Sequence, residues 1–562
     1  MMNAKSFLER EKRLVLFFLL LPALMSPAAH RFSAESALPG PLMRTEDKGI
    51  RAAADIDSPL VQLGKLFQTQ GEDSARYFAR RWAIDLKGES VRVVLETKAE
   101  RTRDLMNLVR AQGGTIETSY GNLIQTLFPI SSLPYLSYLP GVKRIRLPLT
   151  SLPCTITSEG VAVTGADYWQ TLPSFHSEGN VKVAVLDAGF EGYEGLLGSE
   201  LPAAVTVKSF RQDKNLIPTK HGTACAEIVH AMAPQADLWL INYETDVEFY
   251  NAVDYLIGQG INIISYSMGW LNAGAGDGTG PICGQVKKAN DNNIVWVSAA
   301  GDEAQNHWQG YFSDPDGDRW NNFEPKDNTL YFTCHGGELL RIFLNWDDWG
   351  NWNEADKTYS GSNQDYDLYL YKETGQDSTG EPILSLIAQS SNAQAGTQWP
   401  VESIESQIRE SGRYHVKIKN QSSSRNCKLK LFVRNATDLE YLNPEESLLI
   451  PADSPYCLSV GATLWENDSY DIHSSQGPTT SGRVKPDYCA PSGVSTASYK
   501  ELGFSGTSAA TPHLAGALAL LKAKTAFSLV EIKTIIQKRV LDLGPAGKDN
   551  QFGWGRLRLV IR

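Results

Sequence analysis

The chain has 562 residues, of which 42% are hydrophobic and 21% are charged, and its formal net charge is −11. This length allows about three or four globular domains, and the acidic balance argues against nucleic acid as a partner, because phosphate binding favours a basic surface. Seven cysteines without any CxxC pair exclude the common structural zinc frameworks.

The N-terminus has the pattern of a secretory signal peptide. Basic residues precede a short apolar run, Leu14 to Met25, and the small residues of SPAAH follow it as a cleavage site. The run is short for a transmembrane helix, and no later run is long enough to span a bilayer. We therefore predict a signal peptide over residues 1–29, secretion to the extracellular or periplasmic space, and no stable membrane insertion.

Residues 30–150 are predicted to form a separate α+β unit. Its core, about residues 90–150, has the order strand, helix, strand, strand, helix, strand. The first helix, TRDLMNLVRAQGG, ends at two glycines, and TIETSYGNLIQTLFP has the pattern of a β-hairpin. Upstream of this core, residues 60–84 are predicted to be helical.

Residues 151–314 change to an alternation of strands and helices. The strands VKVAVLDAG, ADLWLINY, INIISYSMG and IVWVSAAG are near-continuous apolar runs, as buried parallel strands are. Such an alternation predicts an α/β domain with a doubly wound, mostly parallel sheet.

Residues 315–438 interrupt the α/β pattern. Strands with a period near two, such as DYDLYLYK and KLKLFVRN, are separated by turn residues, which predicts an inserted all-β sandwich domain. Residues 439–562 resume the α/β pattern with the strand YCLSVGAT and a long apolar helix from Ser508. The simplest interpretation is one α/β domain in two parts, 151–314 and 439–562, with a β insertion between them.

Three polar residues stand where a doubly wound sheet places its chemistry. Asp187 ends the strand VAVLD, His221 opens the helix HGTACAEIV, and Ser508 opens the helix of GTSAATPHLAG. Catalytic groups of such sheets lie just beyond the carboxyl ends of the strands. Each residue alone is explained by a helix cap or a structural role. Together, an acid, a base and a nucleophile supply what covalent catalysis by serine needs.

The order Asp, His, Ser and the segments VAVLDAGF, HGTACAEIV, ISYSMG, VSAAG and GTSAATPHLAG resemble the subtilisin-like serine proteases (subtilases, peptidase family S8). The resemblance implies that Asp187, His221 and Ser508 form a catalytic triad. It implies that residues 30–150 are a propeptide, which assists folding, inhibits the enzyme and is released by cutting near residues 148–155. The expected function is a secreted serine endopeptidase, made as a self-processed zymogen, that cuts protein or peptide substrates.

The resemblance also implies a substrate-binding cleft bordered by two backbone segments. A substrate pairs with such segments as an added strand. The segments are YSMG, with Ser267, Met268 and Gly269, and SAAG, with Ala299, Ala300 and Gly301.

One position departs from the family pattern. Asp302 follows SAAG, where most relatives have an Asn whose amide donates to the oxyanion. An ionised carboxylate only accepts hydrogen bonds, whereas a protonated one donates if burial raises its pKa. Loss of such a donor lowers turnover by about 10²–10³-fold. The alternative function is therefore a catalytically weak or inactive subtilase-like protein that binds a ligand through its β insertion.

The expected chemistry requires no cofactor, and the metal candidates are weak. Asp314, Asp316 and Asp318 in DPDGDRW have the alternating spacing of a calcium loop without its remaining ligands, so structural calcium and a solvated turn both stay open. Cys225 follows His221 by one helical turn, so it either approaches the site or fills a buried position.

The insertion also carries aromatic residues that either bind a glycan or protein ligand or fill the sandwich core. Two other enzyme classes are excluded, because GTSAA does not match the G-x-S-x-G of lipases and no HExxH motif supports a zinc protease. The aromatic residues are Trp346, Trp349, Trp352 and Tyr359.

Overall fold

The computed structural model describes most of the chain, and the predicted signal peptide, residues 1–29, lies outside the described part. No helix in that part combines the length and the hydropathy needed to cross a membrane. The described residues are 54–81, 84–98, 102–149, 152–153, 158–172, 181–500, 503–522 and 528–560.

The N-terminal domain, residues 54–149, is a sheet of six strands with helices packed on one face. Its elements are β1 (Asp55–Ile56), α1 (Ser58–Gln70), α2 (Glu72–Arg81), β2 (Leu86–Lys87), β3 (Ser90–Thr97), α3 (Thr102–Ala111), β4 (Thr115–Tyr120), β5 (Leu123–Pro129), α4 (Leu133–Leu136) and β6 (Val142–Arg146), and β7 (Leu152–Pro153) follows it. The strand order is β1-β6-β3-β5-β4, with β2 beside β3.

This domain is larger than its predicted core of about 90–150. Leu60, Leu63 and Ala75, on the two N-terminal helices, are buried in the same cluster as strand residues of the sheet. The helix predicted over 60–84 is broken into two helices at Gly71, where φ is 84° and favours glycine. On β5, Ile124 and Phe128 face the helices, and Gln125 between them faces the opposite side, as strand alternation requires.

The first part of the α/β domain follows. Its elements are α5 (Gly160–Thr164), α6 (Ala166–Thr171), β8 (Lys182–Asp187), β9 (Thr206–Ser209), α7 (His221–Met232), β10 (Asp237–Asn242), α8 (Asp246–Gly258), β11 (Ile263–Tyr266), β12 (Met268–Gly269), α9 (Pro281–Asp291) and β13 (Val295–Ala299).

Two packed four-stranded sheets then form a β-sandwich, with orders β14-β23-β16-β21 and β15-β22-β19-β20. Its elements are β14 (His307–Tyr311), β15 (Leu330–Cys334), β16 (Leu339–Trp346), β17 (Trp352–Asn353), β18 (Thr358–Tyr359), β19 (Tyr366–Gln376), β20 (Pro382–Ser390), β21 (Val401–Gln407), β22 (Gly412–Asn420) and β23 (Lys428–Arg434).

One boundary of the sandwich differs from sequence expectation, and the burial of its aromatic rings favours one of the two alternatives that the sequence left open. The predicted boundary at 315 leaves β14 in the α/β domain, but β14 pairs antiparallel with β23 and so belongs to the sandwich. Trp346, Trp349 and Tyr359 are buried, so these rings fill packed clusters rather than a ligand surface. Trp352 is half-buried against Tyr359.

The chain then returns to the α/β domain and completes its nine-stranded sheet. The sheet order is β26-β27-β25-β24-β13-β11-β8-β10-β9, and every pair except β26 with β27 is parallel. Hydrophobic clusters on its two faces are packed by α7 with α10 and by α8 with α9. The remaining elements are β24 (Cys457–Leu464), β25 (Tyr488–Ser492), α10 (Thr507–Lys522), α11 (Leu529–Gln537), β26 (Val540–Leu541) and β27 (Arg556–Leu557).

The order of this sheet locates a crevice. The chain leaves β8 for β9 and β10 on one side and then reaches β11 on the other, so the strand order reverses beside β8. Ligands of doubly wound sheets bind outside the carboxyl ends of the strands at such a switch point. The residues at the ends of β8, β11 and β13 therefore share one edge of the sheet.

Candidate active site

Asp187 and His221 form a buried pair at this edge. Asp187 is the last residue of β8 and His221 the first of α7, and both are at most 1% exposed. The His221 Nδ1 atom lies 2.8 Å from each Asp187 carboxylate oxygen. A proton on Nδ1 donates to Asp187, so the other ring nitrogen, Nε2, is left as an acceptor.

The start of α7, which carries His221, contains a glycine that lets α7 approach the end of β8. Gly222 donates its N–H to the Gly189 carbonyl at 3.0 Å. A Cβ at Gly222 would lie 2.7 Å from that carbonyl oxygen and 2.8 Å from the Asp187 Cβ. Glycine therefore permits the short distance between Asp187 and His221.

Aromatic rings support the His221 imidazole from a neighbouring loop. The Phe504 ring centre lies 5.5 Å from the imidazole, and Tyr499 packs on Phe504 at 4.9 Å. Glu227 of α7 holds this loop by accepting from the Ala497 N–H at 2.7 Å and from the Ser498 N–H at 3.2 Å. Burial raises the pKa of Glu227 to about 7.

Ser508, the second residue of α10, is fully buried beside the pair. Its hydroxyl donates to the Ser267 carbonyl at 2.9 Å, and the Ser267 hydroxyl donates back to the Ser508 carbonyl at 3.0 Å. His221 Nε2 is buried and has no hydrogen-bond partner within the described ranges. The serine hydroxyl is therefore held by backbone, and the imidazole keeps a free acceptor.

Asp302 lies on the other side of Ser508. Its Oδ1 accepts from the Thr507 N–H at 2.8 Å, one residue before the serine. Burial of the carboxyl raises its pKa to about 7, against the effect of the Thr507 hydrogen bond, and the charges of Asp471 and Glu303 raise it further. Asp302 is therefore a carboxyl that exchanges a proton near neutral pH.

A strand from the N-terminal side occupies one border of the crevice. β7 pairs antiparallel with β12, with Met268 opposite Pro153 and Gly269 opposite Leu152. Upstream of β7, the Leu149 carbonyl accepts from the Asp246 N–H at 3.2 Å. The predicted border at Ser267, Met268 and Gly269 therefore carries an added strand in this structure.

The second predicted border of the crevice, residues 299–301, forms its hydrogen bonds within the α/β domain. The Ala300 N–H donates to the Val460 carbonyl and the Ala300 carbonyl accepts from Leu449, each at 2.9 Å. Gly301 donates to Thr507 Oγ1 at 3.1 Å, and Ala299 is buried at the end of β13. These groups bond within the domain, so a strand in the crevice meets this segment by surface contact only.

Two groups of side chains place metal-ligating atoms within 4.8 Å of one another in the described part of the chain. One group is Asp187, His221 and Cys225, in which the carboxylate and Nδ1 already bond to each other. Cys225 does approach the site, because its Sγ lies 3.8 Å from the Ser508 carbonyl oxygen.

The other group is Asp314, Asp316 and Asp318. Asp314 accepts from the N–H groups of Gly317, Asp318 and Arg319 at 2.8 to 3.1 Å, so it closes a turn. The calcium site stays a prediction.

Three residues that support the site were not indicated by any sequence pattern. Glu227, Phe504 and Asp246 carry no motif of their own. Only Asp246 has a local signal, because Thr245 and Glu248 form a capping box that starts α8 at this residue.

Comparison with known proteins connects this site to one family. The Subtilase family model (Peptidase_S8) matches residues 378–555, a range that contains Ser508 but neither Asp187 nor His221. The resemblance to subtilases that the sequence indicates is thereby confirmed, and so is a subtilisin-like α/β fold with mixed sheets.

Two curated bacterial proteases share a short stretch with the chain. The minor extracellular protease Epr of Bacillus subtilis (strain 168) is 47% identical over 55 residues, which are 10% of this chain and 8% of that protein. The extracellular serine protease of Serratia marcescens is 46% identical over 56 residues, 10% of this chain and 5% of that protein. The match therefore spans less than a tenth of the length of either relative.

Solved structures of bacterial proteases are similar over more of the chain but at low identity. The Clostridium perfringens CspB protease is 14% identical, with 71% of this chain and 97% of that chain covered and a TM-score of 0.48. The epidermin leader peptide processing serine protease EpiP of Staphylococcus aureus is 13% identical, with coverages of 84% and 97% and a TM-score of 0.43.

Proposed function

We propose that this chain is a serine endopeptidase of the subtilase type, in which Asp187, His221 and Ser508 act as acid, base and nucleophile. The observation that carries the proposal is the buried Asp187–His221 pair beside the Ser508 hydroxyl, in a crevice whose edge already binds an extended strand. Peptide and protein chains are the substrates that pair in this way.

The mechanism begins with the resting position of the serine. A turn about the Ser508 Cα–Cβ bond exchanges the Ser267 carbonyl for His221 Nε2 as the acceptor of the hydroxyl proton. His221 then removes that proton as Ser508 Oγ attacks the scissile carbonyl, and later delivers it to the leaving amine. Asp187 keeps the proton on Nδ1 and stabilises the imidazolium that forms.

The oxyanion faces the first turn of α10. Free N–H groups and the positive end of the helix dipole gather there, so the Ser508 N–H is a natural donor. Asp302 is the second donor when it is protonated, and a repelling charge when it is ionised. Because its pKa is raised to about 7, we expect more active enzyme on the acid side of neutrality than on the alkaline side.

The N-terminal domain is proposed to act as an inhibitory propeptide. It lies against α8 and α9 through contacts such as Thr245 Oγ1 to Gln125 Oε1 at 2.6 Å and Asn251 Nδ2 to Thr118 Oγ1 at 3.2 Å. Tyr120 adds a hydrogen bond to Gln285 at 3.3 Å. Its continuation, β7, fills the strand position that a substrate needs. Self-processing is expected near residues 148–155, the stretch that contains β7.

The remaining expectations follow from this proposal. Extracellular relatives support secretion through the segment 1–29. Neither the triad nor the oxyanion donors need a cofactor. The alternative, a weak or inactive protein that binds a glycan or protein through its sandwich, is less favoured, because the aromatic rings proposed for such binding are packed inside.

Intact mass of the full chain over time tests the proposal. Wild-type protein and Ser505→Ala, which changes an exposed hydroxyl near the site, are expected to lose the N-terminal domain, and Ser508→Ala is expected to keep it. The released enzyme should digest casein. Equal processing of all three proteins, or none with casein left intact, would contradict the proposal.

A further inference from the structure

The chain that leads into the strand filling the crevice carries a charged side chain, which contacts the α/β domain. Arg146, at the end of β6, is almost completely buried, and its Nη2 bonds to Oδ2 of the fully buried Asp246. The second amino group, Nη1, lies 3.5 Å from Oδ1 of the same carboxylate. Two amino groups on two oxygens is the geometry by which a carboxylate recognises a guanidinium.

Asp246 contacts the chain between β6 and β7 at two points, the end of β6 and Leu149. Its backbone N–H donates to the Leu149 carbonyl at 3.2 Å, while its side chain holds Arg146. Farther along, Leu152 and Pro153 pair with β12. One residue of the α/β domain therefore fixes the path of an extended chain and reads a side chain upstream on it.

The surroundings of Asp246 come partly from the part of the chain that is proposed to leave. Arg146 also pairs with Glu96 at 2.8 Å, within the N-terminal domain. Arg92 of the same domain reaches Glu244 of the α/β domain at 3.4 Å. Arg211 of the α/β domain also pairs with Glu244, at 3.3 Å. Release of the N-terminal domain removes the cation that Asp246 holds and leaves its carboxylate at the head of the cleft.

There is also room for a longer substrate at this end. A cavity of about 250 Å³ lies where the N-terminal domain, α/β domain and sandwich meet. Leu149, Leu271, Phe343 and Trp399 are among its lining residues. Charged side chains such as Arg92, Arg144 and Arg341 line it as well, and release of the N-terminal domain would open its remaining wall to a longer peptide.

We propose that Asp246 forms a distal subsite that selects peptide substrates with an arginine upstream of the bound strand. The inference rests on the proposed protease function and adds a specificity residue to it. Lysine is expected to bind less well, because a single ammonium does not match the two carboxylate oxygens as a planar guanidinium does. A purely structural Asp246 would instead affect only how tightly the N-terminal domain is held.

The test uses enzyme released from the full chain and a peptide that reproduces residues 142–160. Variant peptides carry Arg146→Ala, Arg146→Lys, or Lys143→Ala as a matched cationic control that is exposed in the structure. The enzymes are wild type, Asp246→Asn and Asp254→Asn, the last a change of an exposed acid on the same helix. Cleavage is followed by chromatography, and kcat and KM are separated.

With wild-type enzyme, Arg146→Ala is expected to lower kcat/KM by roughly tenfold or more, the scale of a charge-assisted hydrogen bond, mostly through KM. The kcat/KM of the Arg146→Lys peptide should fall between those of the parent and Arg146→Ala peptides. The kcat/KM of the Lys143→Ala peptide should stay within about twofold of the parent value. The Asp246→Asn enzyme should cut the parent and Arg146→Ala peptides equally. The Asp254→Asn enzyme should prefer the parent peptide over Arg146→Ala to the same extent as wild type. Equal cleavage of parent and Arg146→Ala by wild type, or retained discrimination by Asp246→Asn, would overturn the inference.

Failure of the proposed function gives a different result. In that case, wild type shows no cleavage of the peptides or of casein beyond that shown by Ser508→Ala. The fluorescein-labelled parent and Arg146→Ala peptides are then titrated into full chain trimmed with trypsin, and anisotropy reports binding. Tighter binding of the parent, lost in Asp246→Asn, supports the subsite without catalysis, and equal binding overturns it.

Discussion

The two sides of the active site each hold an aspartate that follows a strand of the same sheet, and they treat it in opposite ways. Asp187 ends β8 and faces a histidine that can carry a positive charge. Asp302 follows β13 and faces the Thr507 amide, with two further acids, Asp471 and Glu303, acting on it. The first carboxyl has the His221 Nδ1 atom as its partner, whereas burial of the second raises its pKa to about 7 and favours the protonated form.

This difference shows that residue type does not set the role of a buried carboxyl. A nearby cation stabilises the ionised form, whereas burial and like charges stabilise the neutral form. In the proposed mechanism, one side of the site uses aspartate as an acceptor and the other uses it as a donor. Substitutions on each side of the site test this contrast when the released enzymes are compared on one peptide substrate.

The largest expected effect comes from Asp187→Asn. The new amide would donate to Nδ1 and force the proton onto Nε2, so the imidazole could no longer accept from Ser508. We expect kcat to fall by roughly 10⁴-fold near neutral pH. Asp167→Asn, on exposed α6 surface, is the matched control, and a loss below about tenfold would refute the proposed role.

The second-largest effect is expected from Asp302→Asn, because an amide at this position donates to the oxyanion at every pH. Because the raised pKa of about 7 leaves wild type protonated below that pH and ionised above it, wild-type activity should fall as pH rises through about 7. The variant should exceed wild type by roughly 10²-fold at pH 9 and match it within a few-fold at pH 5.5. Parallel pH profiles of the two enzymes would show that Asp302 is not an oxyanion donor.

A smaller effect is expected from Glu227→Gln. An amide cannot accept from Ala497 and Ser498 as both carboxylate oxygens do, so the loop that carries Tyr499 against Phe504 should loosen behind His221. We expect kcat/KM to fall by roughly fivefold, about the worth of one hydrogen bond. Faster hydrogen exchange over 495–500 should accompany it; Glu194→Gln, an exposed acid, should change neither.

The smallest effect should come from Asp471→Asn. Removing this neighbouring negative charge makes ionisation of Asp302 easier, so its pKa falls and the alkaline loss of activity moves to lower pH by roughly half a pH unit. Glu466→Gln, an exposed acid in the same region, should leave the profile in place. A shift to higher pH would contradict the assignment of that limb to Asp302.

Much of the fold follows from local sequence. Parallel strands such as β8 and β13 are apolar runs that end at a turn, and the helices that begin at His221 and near Ser508 open with small residues. The first strand of the sandwich was harder to predict from the sequence, because β14 is short and its partner, β23, lies more than a hundred residues later in the chain. A helix break at Gly71 was likewise hidden inside an otherwise helical pattern.

By itself, the sequence determined the layers of the α/β domain, the N-terminal α+β unit and the three residues Asp187, His221 and Ser508, because apolar periodicity and compact motifs are written in neighbouring residues. Only the tertiary structure decided that the Ser508 hydroxyl rests on Ser267, that Asp302 bonds to Thr507, and that Arg146 reaches Asp246. Each of these contacts joins residues 100 or more positions apart. Their distances and shared burial, which set charge and proton position, exist only after the chain has folded.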